Sequence, residues 1–178
     1  MNSINKQQRE DNHEDLHSSE AIDKIKEITK KTSTCFFCTS ISKGKPFKTR
    51  PMSLQDVDDE GNLWFLSADD SHLNNEIKAD SQVQLLFQAS AHSGFLELNG
   101  EAGISKDKQK IKEFWEPLMK TWFTEGENDP RISVIRVEPT SGYYWDNKHG
   151  NAIALVKMAM GSLIGQTLDD SIEGHLEP

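Results

Sequence analysis

Residues 34–54 read TCFFCTSISKGKPFKTRPMSL, and this stretch predicts how the fold begins. Two strand-like runs, residues 34–41 and 47–54, flank a short segment, residues 42–46, that contains the turn-forming Gly44. Two such runs joined by a short turn predict an antiparallel β-hairpin. The chain is therefore expected to build a sheet of neighbouring strands rather than to alternate strands with helices.

More strands and a few helices follow at short intervals. The strands are predicted over residues 63–67, 83–87, 95–104 and 132–137, and the helices over residues 19–31, 71–79 and 151–163. An apolar pattern with helical spacing also runs from Lys106 to Phe123, where Pro117 should break the helix. Antiparallel strands that close on themselves leave no free sheet edge. We therefore expect a mainly β fold of the β+α type, a small barrel with flanking helices.

The length and the polar ends of the chain predict one folded domain with two tails. A chain of 178 residues and 20.1 kDa suits a single core. Both ends are poor in large apolar residues, which disfavours packing. We expect a domain over residues 19–163, a disordered tail over residues 1–18 and a flexible tail over residues 164–178.

Charge and hydropathy narrow the functional classes. The net charge of -9 would repel the phosphate backbone of a nucleic acid. The mean hydropathy is -0.67, and no apolar run reaches the roughly 20 residues that span a bilayer. The first residues also lack the apolar segment of a signal peptide. We expect a soluble, cytoplasmic protein with no nucleic-acid or membrane partner.

Two motifs with metal-like spacing are interpreted as structural or accidental. Cys35 and Cys38 lie in a strand-like run, where residues three apart face opposite sides of the sheet, so we expect buried thiols without redox or zinc chemistry. Residues 13–17 read HEDLH and match the zinc motif H-E-x-x-H. That motif needs a packed helix, whereas this segment is polar and terminal, so no metal site is predicted.

Three groups of residues could together hold an anionic aromatic ligand. Arg50 sits in a strand whose Pro51 removes one ladder hydrogen bond. Ser67 and Ser71 lie at a strand end and a helix start, where backbone N–H groups favour an anion. The aromatic run 143–145 could cover a flat ring. Taken singly, each has an ordinary alternative: a solvated arginine, a serine helix cap, or an aromatic seal on the core.

Taken in order, these residues resemble the general-stress-protein branch of the pyridoxamine 5'-phosphate-oxidase-like FMN-binding split barrels. The resemblance covers about residues 20–160. Its most specific stretches are residues 50–52 (RPM), 61–65 (GNLWF), 114–117 (FWEP), 122–123 (WF) with 129–130 (DP), and 136–139 (RVEP) followed by 144–146 (YWD). The resemblance implies a split β-barrel with flanking helices that forms a homodimer, with two FMN molecules in the clefts between the subunits.

The resemblance also implies roles for individual residues along β-strands and turns. By motif position, Arg50 would reach the flavin phosphate or ribityl chain. Pro51 and Met52 would present their backbone to the isoalloxazine ring.

The remaining cofactor contacts implied by the resemblance come from later segments. Phe65 and Ser67 would line the ribityl and phosphate region, and Ser71 would hold phosphate oxygens. Trp145 would come from the partner subunit and lie against the ring.

Two departures from the family pattern change what is expected. Relatives usually carry a lysine two residues after the serine at position 71, whereas this chain has Leu73, so a cation for the phosphate is missing. His72 is the candidate to replace part of that charge. True pyridoxamine-phosphate oxidases carry Arg-x-His soon after the tryptophan motif, where residues 147–150 here read NKHG. The oxidation of vitamin B6 phosphates is therefore not assigned.

Three functional hypotheses follow, in order of preference. The first is an FMN-dependent oxidoreductase of unknown substrate, in which no acid or base can be named. The second is a stress protein that binds or buffers flavin without turnover. The third is a split-barrel dimer that binds deazaflavin, haem or no cofactor, for which Leu73 is the sequence observation.

Overall fold

Short turns between apolar strands produce a closed antiparallel barrel. The computed structural model describes residues 12–41, 47–164 and 170–178. Its strands are β1 (Leu16–His17), β2 (Thr34–Thr39), β3 (Lys48–Val57), β4 (Leu63–Ala68), β5 (Gln82–Gln88), β6 (Phe95–Ser105), β7 (Ile132–Asn147) and β8 (Ser171–Glu177). Its α-helices are α1 (Ser19–Lys31), α2 (His72–Ala79), α3 (Lys108–Phe114) and α4 (Asn151–Ile164), with 3₁₀ turns at Pro117–Thr121 and Gly126–Asn128.

Six strands make the barrel in the order β7, β4, β3, β2, β5, β6, and β6 pairs with β7 to close it. The two predicted hairpins, β2–β3 and β5–β6, are antiparallel pairs in this sheet. The turn predicted at residues 42–46 lies outside the described residues. The predicted mainly β barrel with flanking helices is confirmed.

The long strand β7 joins the barrel to the end of the chain. The sequence predicts a strand that ends at Val137, but β7 continues to Asn147. Pro139 is accommodated because it pairs opposite Gly100, next to a register shift between Asn99 and Gly100. A Cβ at Gly100 would meet the Glu138 carbonyl oxygen at 2.5 Å, so this close approach of the strands requires glycine.

The core fills the barrel and extends under α1. Alternate residues of β4 and β5 are buried, as expected for strands with one face on a core. Helix α1 buries Ile25 and Ile28 completely against this core. The helix predicted after Lys106 ends as α3 at Phe114, before the predicted break at Pro117.

Residues 12–17 and β8 form a pair that we call the terminal clasp. β8 pairs antiparallel with the second half of β7, and β1 lies parallel to β8. The Glu14 amide donates to the Glu173 carbonyl at 2.9 Å. The prediction of a flexible tail over residues 164–178 is wrong for Ser171–Glu177, because backbone pairing with β7 orders a segment that has few apolar side chains. Residues 12–17 of the predicted N-terminal tail are likewise paired.

None of the described helices is both long and apolar enough to cross a membrane.

Candidate functional site

The barrel is split between β3 and β4. The ladder between these strands runs from Val57↔Leu63 to Leu54↔Phe65. Beyond that pair, residues 48–53 of β3 pair with β2, and the end of β4 pairs with β7. No ladder joins β3 to β4 there among residues 47–68. We call this opening, with the start of α2 beside it, the split. Strand edges at such an opening offer backbone N–H and C=O groups to a ligand.

The predicted residues of β3 divide between the two faces of the strand. Arg50 and Met52 project to the same side as Leu54, because side chains two apart share a face. Met52 packs against the main core. Pro51 projects to the opposite face, where it pairs with Phe36 of β2 and carries no N–H to donate.

Arg50 is held in the split by a carboxylate of α2. Its Nη2 donates to Glu76 Oε2 at 2.6 Å. The same carboxylate accepts hydrogen bonds from Thr39 Oγ1 at 2.6 Å and from Lys48 Nζ at 2.8 Å. Burial raises the pKa of Glu76, but the hydrogen bonds from Lys48, Thr39 and Arg50 outweigh burial and lower the pKa to about 2. Glu76 is therefore a carboxylate at neutral pH.

The second terminal nitrogen of the Arg50 guanidinium, Nη1, has no acceptor in the described part of the chain. Arg50 Nη1 is buried and has no hydrogen-bond partner among the described residues. A buried charged donor without an acceptor is costly, so such atoms mark places where a ligand oxygen would be favourable.

Two hydroxyls lie where β4 leads into α2. Ser67 Oγ and Ser71 Oγ are 3.1 Å apart. Ser71 caps α2, because its Oγ accepts the Asn74 amide at 3.1 Å, as the sequence predicts for a serine at a helix start. Ser133 fixes this corner, since it accepts from Asn74 Nδ2 and donates to the Ser67 carbonyl.

His72 lies on the face of α2 that borders the split. It is exposed in the first turn of α2. Because His72 and Glu76 are four residues apart, they share one face of the helix. Glu76 on this face contacts Arg50, so the face that carries His72 borders the split.

Phe65 and Leu73 belong to the core. The Phe65 side chain is fully buried and meets Phe37 edge to face at 5.3 Å between ring centroids. A ligand in the split would therefore meet the backbone of Phe65. Leu73 is 4% exposed and packs in the same core, so the residue that replaces the family's lysine points inward.

Trp145 lies on the outer face of the sheet, away from Arg50 of the same chain. It is 40% exposed, and its ring lies 4.6 Å from that of Tyr143. Only β4 lies between β3 and β7 on the shorter side of the barrel, but β4 pairs with Ile132–Val137, and Trp145 lies eight residues farther along β7, about 26 Å at about 3.3 Å per residue. One chain thus does not bring Trp145 to the predicted phosphate region.

An apolar groove also opens on that outer face. Its volume is about 370 Å³, and its lining includes Phe36, Pro51, Leu86 and Phe95. Phe95 pairs directly with Trp145 on β7. Phe36 is 57% exposed, so its ring adds apolar surface beside this groove.

Sequence reasoning missed Glu76, Lys48 and Thr39. Their side chains meet because α2 packs against the ends of β2 and β3. The sequence around each residue does not indicate this contact between distant segments. The sequence feature that could have indicated Lys48 is its position two residues before Arg50, which places both cations on one face of the strand.

The structure places the cysteine pair in β2 and the end of the HEDLH segment in β1. Cys35 and Cys38 are buried and unbridged, as predicted, and burial, with Cys38 nearby, raises the pKa of the Cys35 thiol to about 12. In the HEDLH segment, Leu16 and His17 are extended as β1, so this segment does not form the helix on which H-E-x-x-H binds zinc.

Comparisons with known proteins agree with this fold. The family model described as "Pyridoxamine 5'-phosphate oxidase like" matches residues 20–169. The protein bli-3 of Neurospora crassa is 24% identical over 127 residues, in a match that covers 66% of this chain and 61% of bli-3. The chain thus spans less than two thirds of that relative.

Solved structures with the same fold include several stress proteins. One named for general stress protein 26, from Jannaschia sp. CCS1, has a TM-score of 0.74 at 23% identity and covers 88% of this chain and 97% of its own. The general stress FMN/FAD binding protein of Xanthomonas citri has a TM-score of 0.57 at 22% identity and covers 67% of this chain and 84% of its own.

Proposed function

Because the chain belongs to the pyridoxamine 5'-phosphate oxidase like family, we propose that it binds FMN in the split and works as a flavin-dependent oxidoreductase. The observation that carries this proposal is the buried Arg50 Nη1, which has no acceptor in the part of the chain that the structure describes. The general-stress branch fits the same proposal, since the similar Xanthomonas citri structure is that of an FMN/FAD binding protein.

The residues of the split suit the phosphate end of FMN. Arg50 would donate from Nη1 to a phosphate oxygen, and charge-assisted bonds of this kind are among the strongest in proteins. The hydroxyls of Ser67 and Ser71 stand together at the N-terminus of α2, where the helix dipole favours negative charge. His72 would add a donor on the same side of the helix.

The backbone of β3 suits the flavin ring. At Pro51 and Met52 the strand pairs with β2 and with no other described strand, so its other edge faces the split and can present polar groups to the ring nitrogens and oxygens. The backbone of Phe65 and Ser67 would line the opposite side.

A homodimer would complete the site. The exposed aromatic side chains Phe36 and Trp145 lie on the outer sheet face, and aromatic residues are enriched in the buried centre of protein interfaces. Within one chain, Trp145 lies eight residues beyond the part of β7 that pairs with β4, so it is far from Arg50 along the strand direction. We therefore assign the ring-covering role to Trp145 of the partner subunit.

When bound, FMN would supply the hydride and electron transfer chemistry. The residues of this chain would bind the phosphate, orient the ring and exclude water from it. No described side chain is assigned as an acid or base. Cytoplasmic location follows as a proposal from the acidic, polar sequence.

Leu73 favours one competing candidate, a split-barrel dimer that binds no flavin. The inward position of Leu73 removes a cation that relatives supply, and Glu76 places a negative charge beside Arg50. A non-catalytic flavin-binding protein would keep Arg50, Ser67 and Ser71 and show no turnover.

The first experiment is the absorbance spectrum of the protein purified without added cofactor, followed by an FMN titration monitored by quenching of flavin fluorescence. Co-purified flavin or micromolar FMN binding is expected. Consumption of NADH or NADPH by the loaded protein would support the oxidoreductase, and tight binding without consumption would support the non-catalytic protein. No binding would reject the flavin proposal and direct the search to deazaflavin or haem.

A further inference from the structure

A second cation lies beside Arg50 in the split. Lys48 precedes Arg50 by two residues on β3, so both side chains project from the same face of the strand. Lys48 Nζ donates to Glu76 Oε1 at 2.8 Å, while Arg50 Nη2 donates to Glu76 Oε2 at 2.6 Å. Lys48 and Arg50 therefore each donate to one oxygen of the Glu76 carboxylate.

The same two cations, Lys48 and Arg50, can bind a phosphate group. A phosphate group presents neighbouring oxygens much as a carboxylate does, and Lys and Arg bind both groups through charge-assisted hydrogen bonds. The Lys48 side chain is 62% exposed, whereas that of Glu76 is 11% exposed. The ammonium can therefore turn from Glu76 toward a ligand on the open side of the split with little loss of hydration.

Within the group formed by Lys48, Arg50 and Glu76, Lys48 makes the net charge positive. Arg50 and Glu76 alone cancel, and Leu73 is buried and uncharged. Adding Lys48 leaves one net positive charge on this three-residue group. Without it, a dianionic phosphate would meet a neutral pair.

We propose that Lys48 is the second phosphate-binding cation of this chain, in the role that relatives give to the lysine replaced here by Leu73. Glu76 holds Lys48 and Arg50 together before the ligand binds. This inference rests on the proposed binding of FMN.

The test compares FMN with riboflavin, which has the same ring and no phosphate. Lys48→Ala should lower FMN affinity about tenfold and leave riboflavin affinity unchanged, because only the phosphate contact is lost. Lys30→Ala is the matched control, since Lys30 is an exposed lysine at the end of α1 and its removal should change neither affinity. Thermal melting of each variant checks that the fold is intact.

A second comparison separates a phosphate contact from simple neutralisation of Glu76. In the Glu76→Gln background, FMN should bind several-fold more tightly than to the unsubstituted protein, because a like charge is gone. Adding Lys48→Ala to that background should still lower FMN affinity about tenfold if Lys48 meets the phosphate.

The outcomes distinguish this inference from the proposed function. If FMN binds but Lys48→Ala keeps the original ratio of FMN to riboflavin affinity, or if its effect disappears in Glu76→Gln, the role of Lys48 is wrong and FMN binding stands. If the unsubstituted protein binds neither flavin, both proposals fail.

Discussion

The split leaves a strand edge open, whereas the terminal clasp covers one. In the split, no described strand pairs with the β4-facing edge of β3 beyond Leu54, and one buried nitrogen of Arg50 lacks an acceptor among the described residues. In the clasp, β8 covers the free edge of β7, and residues 12–17 cover β8 in turn. An edge that stays open can receive a ligand, whereas an edge that is covered adds stability and blocks pairing with other chains.

The two regions also differ in whether the family model matches them. The split lies within residues 20–169, which the family model matches, and the clasp lies outside them. Substitutions in the split should therefore change ligand binding, and substitutions in the clasp should change stability.

The largest effect is expected from Gly174→Val in the clasp. A Cβ at Gly174 would lie 1.8 Å from the Glu14 carbonyl oxygen, so residues 12–17 must detach from β8. We expect the free energy of unfolding to fall by about 3 kcal/mol, measured by urea denaturation. Gly103→Val is the control, because a Cβ there meets nothing within 4 Å. Equal losses in both variants would show that the clasp crossing is not tight.

In the split, Arg50→Ala should act on binding. Loss of the guanidinium should weaken FMN binding by about 1.5 to 3 kcal/mol, measured by fluorescence titration. Arg136→Ala removes an exposed arginine that pairs with Glu138 on β7, and it should leave FMN affinity unchanged. An unchanged affinity in Arg50→Ala would remove the split as the phosphate site.

Acid should weaken the protein partly through Glu76. Its pKa in the folded protein is lowered from 4.5 to about 2, so its ionised form stabilises the fold above pH 4.5. Linkage converts this shift to about 3 kcal/mol, which solvent screening of the partly exposed pair reduces to about 2 kcal/mol, and this contribution should be lost as the pH falls toward 2 because the folded carboxyl then takes up its proton. In Glu76→Gln, the free energy of unfolding should fall less steeply between pH 4.5 and 2. Parallel acid curves for the two proteins would contradict the strong pairing at Glu76.

A smaller effect is expected from one hydrogen bond of the clasp. Tyr144 is buried, and its hydroxyl donates to the Glu14 carbonyl at 2.9 Å. Tyr144→Phe should lower the free energy of unfolding by about 1 kcal/mol in urea denaturation. Tyr143→Phe, whose ring packs on Trp145 at the outer face, serves as the comparison and should cost less. FMN affinity should change in neither variant, and a loss of binding in Tyr144→Phe would tie the clasp to the site.

Much of the split could be predicted from the sequence because its parts are local. The strand that holds Arg50 and the serine cap at Ser71 each follow from residues near them in the chain. The family resemblance then assigned these residues to one ligand. It could not show that the Phe65 side chain is buried in the core, since a strand pattern does not say which face meets a cavity.

The sequence by itself determined the antiparallel strands, the two hairpins, the helix starts and the break before Pro117, because these depend on periodicity, turn residues and caps. Only the tertiary structure decided that Glu76 of α2 reaches Lys48 and Arg50, and that a polar C-terminal segment becomes a strand. Both depend on backbone edges and side chains that are distant in sequence. Which edges meet is set by the closure of the barrel, and no local pattern carries that information.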